Sequence, residues 1–250
     1  MNALRGCDFI KSITLRNGLT EIGKEAFCHC YNLETVGIPG SVTEIGPDAF
    51  AWSGLKSIIL PHGLTEIRGY VFRSCYNLET VVIPETVAKI GQYAFADSGL
   101  KSITLPHGLT KIEEGVFNNC RNLETVVIPE AVTKISPGAF AHSGLKSITL
   151  LDGRLTEIEK NTFYGCRNLE TVVIPETVTK IGPNAFAWSG LKSIILPGRL
   201  TEIGEKAFST CGKLETVVIP ETVTKISRCA FYGCHNLVVK YIKYPQDILQ

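Results

Sequence analysis

Aliphatic residues recur along this chain at spacings of three and two, stop at a proline, and return every 22 or 23 residues. The clearest copy is Leu78-Glu-Thr-Val-Val-Ile-Pro84, followed by Val87, Ile90 and the pair Ala94-Phe95; it recurs from Leu123, Leu169 and Leu214, with a looser form from Leu55. A fixed period of this length decides the fold before any other feature does. In Leu123-Glu-Thr-Val-Val-Ile128, residues 123, 126 and 128 are assigned to the interior. Thr125 and Val127 lie between them and face outward, as the two-residue period of a strand requires. Pro129 removes a backbone donor and ends the strand. Val132-Thr-Lys-Ile135 reads as a second short strand. Ala139-Phe140 opens a tight turn, helical or 3₁₀, that closes the coil.

Phe27, Phe50, Phe72, Phe95, Phe117, Phe140, Phe163, Phe186, Phe208 and Phe231 align one per coil, and Leu4 takes the same place at the start, which gives eleven coils. Such coils stack in register into a repeat solenoid, with a parallel sheet on one side whose strands are about 4.8 Å apart. The coils alternate: one type carries Cys three residues after Phe, and the other carries Ser and is one residue shorter. The unit is therefore a two-coil module of 45 or 46 residues. Coil eight differs, because Leu150-Leu-Asp-Gly-Arg154 replaces the proline and predicts a small bulge. Residues 1–236 read as the array and residues 237–250 as a closing segment, with Lys240 at an inward aliphatic position. The first coil has no comparable cap. An open repeat edge invites pairing, so the expectation is a longer array or a covering second copy.

Charge adds little pressure toward any class of partner. The 250 residues carry 25 basic and 24 acidic side chains, for a net charge of +1, which calls for neither nucleic acid nor an anionic membrane. No apolar run is long enough to span a bilayer. Met1 to Cys7 has neither the basic nor the apolar region of a secretory signal, leaving a cytoplasmic protein and a processed one both open. The charges themselves are ordered. Lys11, Glu34, Lys56, Glu79, Lys101, Glu124, Lys146, Glu170, Lys192 and Glu215 alternate in sign along one row, which favours one coil order and register.

The nine cysteines do not form a disulfide scaffold. Cys30, Cys75, Cys120, Cys166 and Cys211 recur in alternate coils, about 10 Å apart at two strand spacings and too far to pair. Buried, reduced thiols are expected. Cys7 with Cys30, and Cys211 with Cys234, fall in adjacent coils, and their pairing stays open. Cys28-His-Cys30 and Cys229 with Cys234-His235 lack a converging second pair of zinc ligands. No histidine stands in a triad-like order, and no phosphate-binding or nucleophile-elbow motif is present. The expectation is a non-enzyme without metal or cofactor.

Two faces remain as candidate binding sites. The outward strip of the first-strand sheet carries Ile59, Val82, Thr104, Val127, Thr149, Val173, Ile195 and Val218, beside a parallel row of Ser and Thr. Contiguous exposed apolar surface marks interaction sites. The turn edge carries the residues that vary between coils: Trp52, Tyr76, Arg121, Arg167 and Trp188. Aromatic and Arg side chains are common interface anchors.

The consensus L-x-x-I-x-[IL]-P-x-x-V-T-x-I-G-x-x-A-F-x-x-C, matched almost letter for letter from Leu169 to Cys211, resembles the BspA-like class of leucine-rich repeats. The resemblance covers all but the last dozen residues. It implies a right-handed leucine-rich repeat horseshoe with its parallel sheet on the concave face. It also implies a protein-binding, adhesive protein at the surface of, or secreted by, a bacterium or parasitic protist. A monomer or an edge-joined homo-oligomer fits, and so does a structural spacer without a specific ligand.

Overall fold

The computed structural model describes residues 4–150 and 154–242. Eleven first strands, Ser12–Thr14 through Val238–Ile242, alternate with ten two-residue second strands, Glu21–Ile22 through Lys225–Ile226. Every strand pairing is parallel. Leu123, Val126 and Ile128 are buried, and Thr125 and Val127 point outward. The phenylalanines form one continuous column. Neighbouring rings from Phe27 to Phe231 stand 5.2–5.8 Å apart and within 16° of parallel.

The turns contain no helix among the described residues. Instead, alternate backbone donors do two jobs. In the coil of Phe95, the amides of Ala94, Ala96 and Ser98 bond three residues back, to Gly91, Tyr93 and Phe95. Those of Tyr93, Phe95 and Asp97 donate to Glu114, Val116 and Asn118 of the next coil at 2.8–3.1 Å. The local bonds have the 3₁₀ spacing, while the others make a third ladder along the stack. To alternate in this way the chain takes a positive φ two residues before and two after each Phe, as at Tyr93 (53°) and Asp97 (59°).

The first strands are not laddered as one sheet. They pair two by two within a module, and only the last set, Ser193–Ile195, Thr216–Pro220 and Val238–Ile242, has three members. The shorter turn accounts for the breaks. It places Gly54, Gly99, Gly144 and Gly190 against the coil before, where a Cβ would come within 2.1–2.2 Å of the carbonyl oxygens of Tyr31, Tyr76, Arg121 and Arg167. Within a module Glu79 N meets Lys56 O at 2.9 Å, whereas across the junction Lys101 N meets Glu79 O at 3.4 Å. Ion pairs stand at these junctions: Lys56–Glu34, Lys101–Glu79, Lys146–Glu124 and Lys192–Glu170, all at 2.7–2.8 Å. Each Lys thus reaches back to the Glu of the preceding coil.

One expectation at the C-terminal end is corrected. Lys240 pairs with Val218, not with the inward Val217, whose partner is Val239. A one-residue slip exchanges the two faces of a strand. Here it keeps a Lys charge out of the interior, where it would have no partner. The expected bulge at 151–153 and the rest of the closing segment, 243–250, lie outside the described residues.

The packed glycines give a direct test. Gly99→Ala or Gly144→Ala should cost about 1–3 kcal/mol through overpacking, seen as a fall in the thermal midpoint. Gly108→Ala should change it little, since a Cβ there meets nothing within 4 Å. Equal effects at the three positions would refute the packing argument.

Candidate functional site

The strip is present as a geometric feature. Ile59 and Val127 are 70% and 72% exposed, and Val82, Val173 and Ile195 are more than half exposed. Thr104 and Thr149 are exposed between them, while Val218 is only half-exposed, beside Lys240. The ladders fix neighbours within each module, Ile59 beside Val82, Thr104 beside Val127, Thr149 beside Val173, and Ile195 beside Val218. Charge on the adjacent row is neutralised in pairs. A hydrogen bond from Lys56 holds the Glu34 carboxyl below its usual range, and Lys192 does the same for Glu170. The strip is therefore an uncharged, β-branched and hydroxylated surface.

The turn edge divides into two chemical regions. Trp52 is half-buried because it stacks on His29 at 5.9 Å and meets the edge of Tyr76 at 5.8 Å. His29 Nδ1 also lies 2.7 Å from the Tyr31 hydroxyl. This is a self-packed aromatic run. Farther along, Arg121 and Arg167 flank His142, and Trp188 stands 48% exposed beyond them. The structure thus separates Trp52 and Tyr76 from Arg121 and Arg167, which the sequence placed in one group. The positive-φ column beneath them was missed in the sequence. The Gly, Asn, Asp and His that recur in it, among them Gly138, Asn161, Asn184, Asp97 and His142, were an available signal, since these types tolerate that conformation best.

Residues 1–124 and 110–238 match the BspA type leucine-rich repeat region, in six copies. This chain belongs to the BspA-type leucine-rich repeat family. Among solved structures it is similar to a leucine-rich repeat protein from Bacteroides ovatus, at 27% identity and a TM-score of 0.67, over 96% of this chain and 80% of that one. A leucine-rich repeat protein from T. pallidum is 31% identical over 72% of this chain and 76% of its own, with a TM-score of 0.50. One from Eubacterium ventriosum shares the fold at 24% identity, covering 95% of this chain and 85% of that one, with a TM-score of 0.58. No curated protein matches the chain. Among the described residues no helix is long and apolar enough to cross a membrane.

In this BspA-type array the cysteine row is a hydrogen-bonded column. Cys75 Sγ donates to the Phe50 carbonyl at 3.0 Å and lies 3.4 Å from Ser53 Oγ. The same contacts recur at Cys120 with Ser98, Cys166 with Ser143 and Cys211 with Ser189. All nine cysteines are free. Burial pushes Cys75 and Cys166 up to about 11 and Cys120 to about 12. The alternation fails at both ends, at Cys7 with Cys30 and at Cys211 with Cys234; in the latter pair the thiols meet, and the Cys211 thiol draws Cys234 down while being itself pushed up. Among the described residues no cluster of three or more His, Cys, Asp or Glu is placed to hold a metal ion.

The buried thiols make stability sensitive to alkali. An unfolded Cys loses its proton near pH 8.5, at about 8.5 on the usual scale. The folded Cys75, Cys120 and Cys166 keep theirs to about 11, 12 and 11. The native state holds the protons longer, so their contribution is complete below the unfolded value and is lost as pH climbs from there toward the folded values. The thermal midpoint should fall over that window. A Cys75→Ser, Cys120→Ser, Cys166→Ser variant should show a shallower decline, and an unchanged slope would refute this origin.

Proposed function

We propose that this chain is a non-enzymatic protein-binding module of adhesive type, acting at the cell surface or outside the cell, with the first-strand strip as its contact face. The observation that carries this reading is the line of exposed β-branched side chains from Ile59 to Ile195. Their exposure is costly in isolation, and contiguous apolar surface of this kind is commonly an interface. Leucine-rich repeat families commonly bind proteins, and solenoids present extended surfaces for the purpose. With its charges neutralised in pairs, the strip suits a partner whose contact surface is apolar and hydroxyl-rich. The test is solid-phase binding to immobilised extracellular-matrix proteins. Changing Val127, Val173 and Ile195 together to Ser should weaken any binding at least tenfold, about 1.4 kcal/mol, without lowering the thermal midpoint appreciably. Undiminished binding would remove the strip as the site.

A second reading, self-association through the first coil, is favoured by a mostly apolar groove of about 340 Å³ in which Leu4, Leu15, Leu19, Ile22 and Phe27 stand beside Glu21. Leu19 is 37% exposed there. On this reading the chain is a scaffold segment joined end to end. Light scattering over a concentration series should then show the mass rising, with Leu19→Glu suppressing the rise. A monomer at every concentration would end this reading.

A further inference from the structure

The turn edge repeats one arrangement of side chains at each short turn. Each has a residue of the short coil in the middle and a residue of the long coils on either side. In chain order the flanking pairs are Tyr31 and Tyr76, Tyr76 and Arg121, Arg121 and Arg167, and Arg167 and Gly212. Only the third has a guanidinium on both sides, with His142 between them. It opens into a cleft of about 460 Å³, walled by Arg121 and Arg167, with Ser143, Gly144, Gly165 and Asn168 completing its lining.

Among the described residues no carboxylate pairs with Arg121 or Arg167. The nearby acids are engaged elsewhere: Glu124 with Lys146, Glu170 with Lys192. Asp97 accepts from the Asn119 amide, and Asn119 Oδ1 accepts from Arg121 Nε at 2.8 Å. That chain of contacts fixes Arg121 while leaving its terminal nitrogens available. Burial lowers the His142 pKa, and Arg121 and Arg167 lower it further, so both guanidiniums act on the same point. The imidazole is held from the other side by the edge of the Tyr164 ring at 5.1 Å and by Gly165, where a Cβ would lie 2.4 Å from His142 Nδ1. An array that neutralises its strand-row charges in pairs leaves two of its arginines lining one cleft, on either side of His142.

We propose that the cleft between Arg121 and Arg167 binds a tetrahedral oxyanion, the phosphate or sulfate group of a monoester. A carboxylate has two oxygens on one edge and satisfies one guanidinium fork. Two guanidiniums carried by the coils on either side of His142 are best met by acceptors pointing in several directions, which a tetrahedral group provides. Charge follows the same logic, since a phosphate ester carries about −1.5 to −2 at neutral pH against two fixed cations. His142 adds a third donor once protonated, and a bound anion raises its pKa. This site is separate from the first-strand strip and does not depend on it.

The test is NMR titration of the whole chain with inorganic phosphate, sulfate and acetate at matched ionic strength. His142 is followed by its ring signals, assigned with His142→Gln. Phosphate and sulfate should saturate and move the His142 pKa upward; acetate should do neither. Arg121→Gln and Arg167→Gln should each weaken phosphate binding about tenfold or more. Arg68→Gln, which removes a guanidinium paired with Glu44 elsewhere, should leave it unchanged. Phosphoserine and a monosaccharide sulfate ester, used as paired probes, tell which ester the site prefers, and saturable binding of either supports it. The proposal is overturned if acetate acts like phosphate, or if the Arg121→Gln, Arg167→Gln double variant still binds phosphate as the native chain does. Replacing Val127, Val173 and Ile195 should not alter anion binding, so this test and that of the strip fail independently.

Discussion

The repeat sets most of the described positions beside their own counterparts in the next coil, at about the 4.8 Å spacing of strands. That constraint selects the residues column by column. Flat rings meet it easily, and the ten phenylalanines from Phe27 to Phe231 run through the chain as one stack with neighbouring planes within 16°. Charges meet it only by alternating in sign or by reaching past their neighbours. The first-strand row takes the first course, with Glu34 under Lys56. The second-strand row mixes the two: Lys89, Lys180 and Lys225 pair with Glu66, Glu157 and Glu202 beside them in the ladder, whereas Lys111 lies beside Lys134 and the two turn to Glu113 and Glu159.

The two-coil module follows from the same constraint. A Cys in each coil would set thiol against thiol, as happens at Cys211 and Cys234, where one is drawn down and the other pushed up. Alternating Cys with Ser gives each thiol a hydroxyl neighbour and a carbonyl acceptor. The Ser coil is one residue shorter, and the missing residue is accommodated by the backbone: glycine brings the turn into contact with the carbonyl of the coil before. The strand ladder is weakened at that junction, and there the Lys–Glu pairs stand. Exposed pairs contribute about 0–1 kcal/mol each, so their main effect is on register rather than on total stability.

Period, inward positions, phenylalanine column, buried thiols and alternating charge could all be read from the letters, because each is a property of a column and eleven copies average out local noise. What the letters concealed depends on the backbone. The pairwise break in the ladder arises from a one-residue difference in turn length and from Gly99 and its counterparts, not from any change in the strand residues. The turns hold two positive-φ positions per coil, yet Trp52, Tyr93 and Thr210 occupy them beside the expected Asn, Asp and Gly, which blurs the signal. Lys240 was misplaced because Leu237 looks like the first letter of another coil. The structure keeps the Lys outside by sliding the strand one residue. Trp52 and Arg121 share an edge in the sequence but not a chemistry in space, since stacking on His29 draws Trp52 into the scaffold.

Function is then best sought where stacking imposes least. The inward columns are nearly invariant because one wrong side chain disturbs two neighbours. The strip is outward yet also nearly uniform, so it suits recognition spread over many coils rather than a sharp contact. At the turn edge the side chains escape the column and the sequence drifts, from Tyr31, Trp52 and Tyr76 to Arg121, His142 and Arg167. Aromatic neighbours there satisfy one another and become structure. Guanidiniums cannot do so: Arg121 and Arg167 line one cleft, and among the described residues no carboxylate pairs with either. Self-complementary stacking, the principle that builds the rest of the chain, fails at that point. The proposed oxyanion would supply there the complement that the repeat supplies elsewhere.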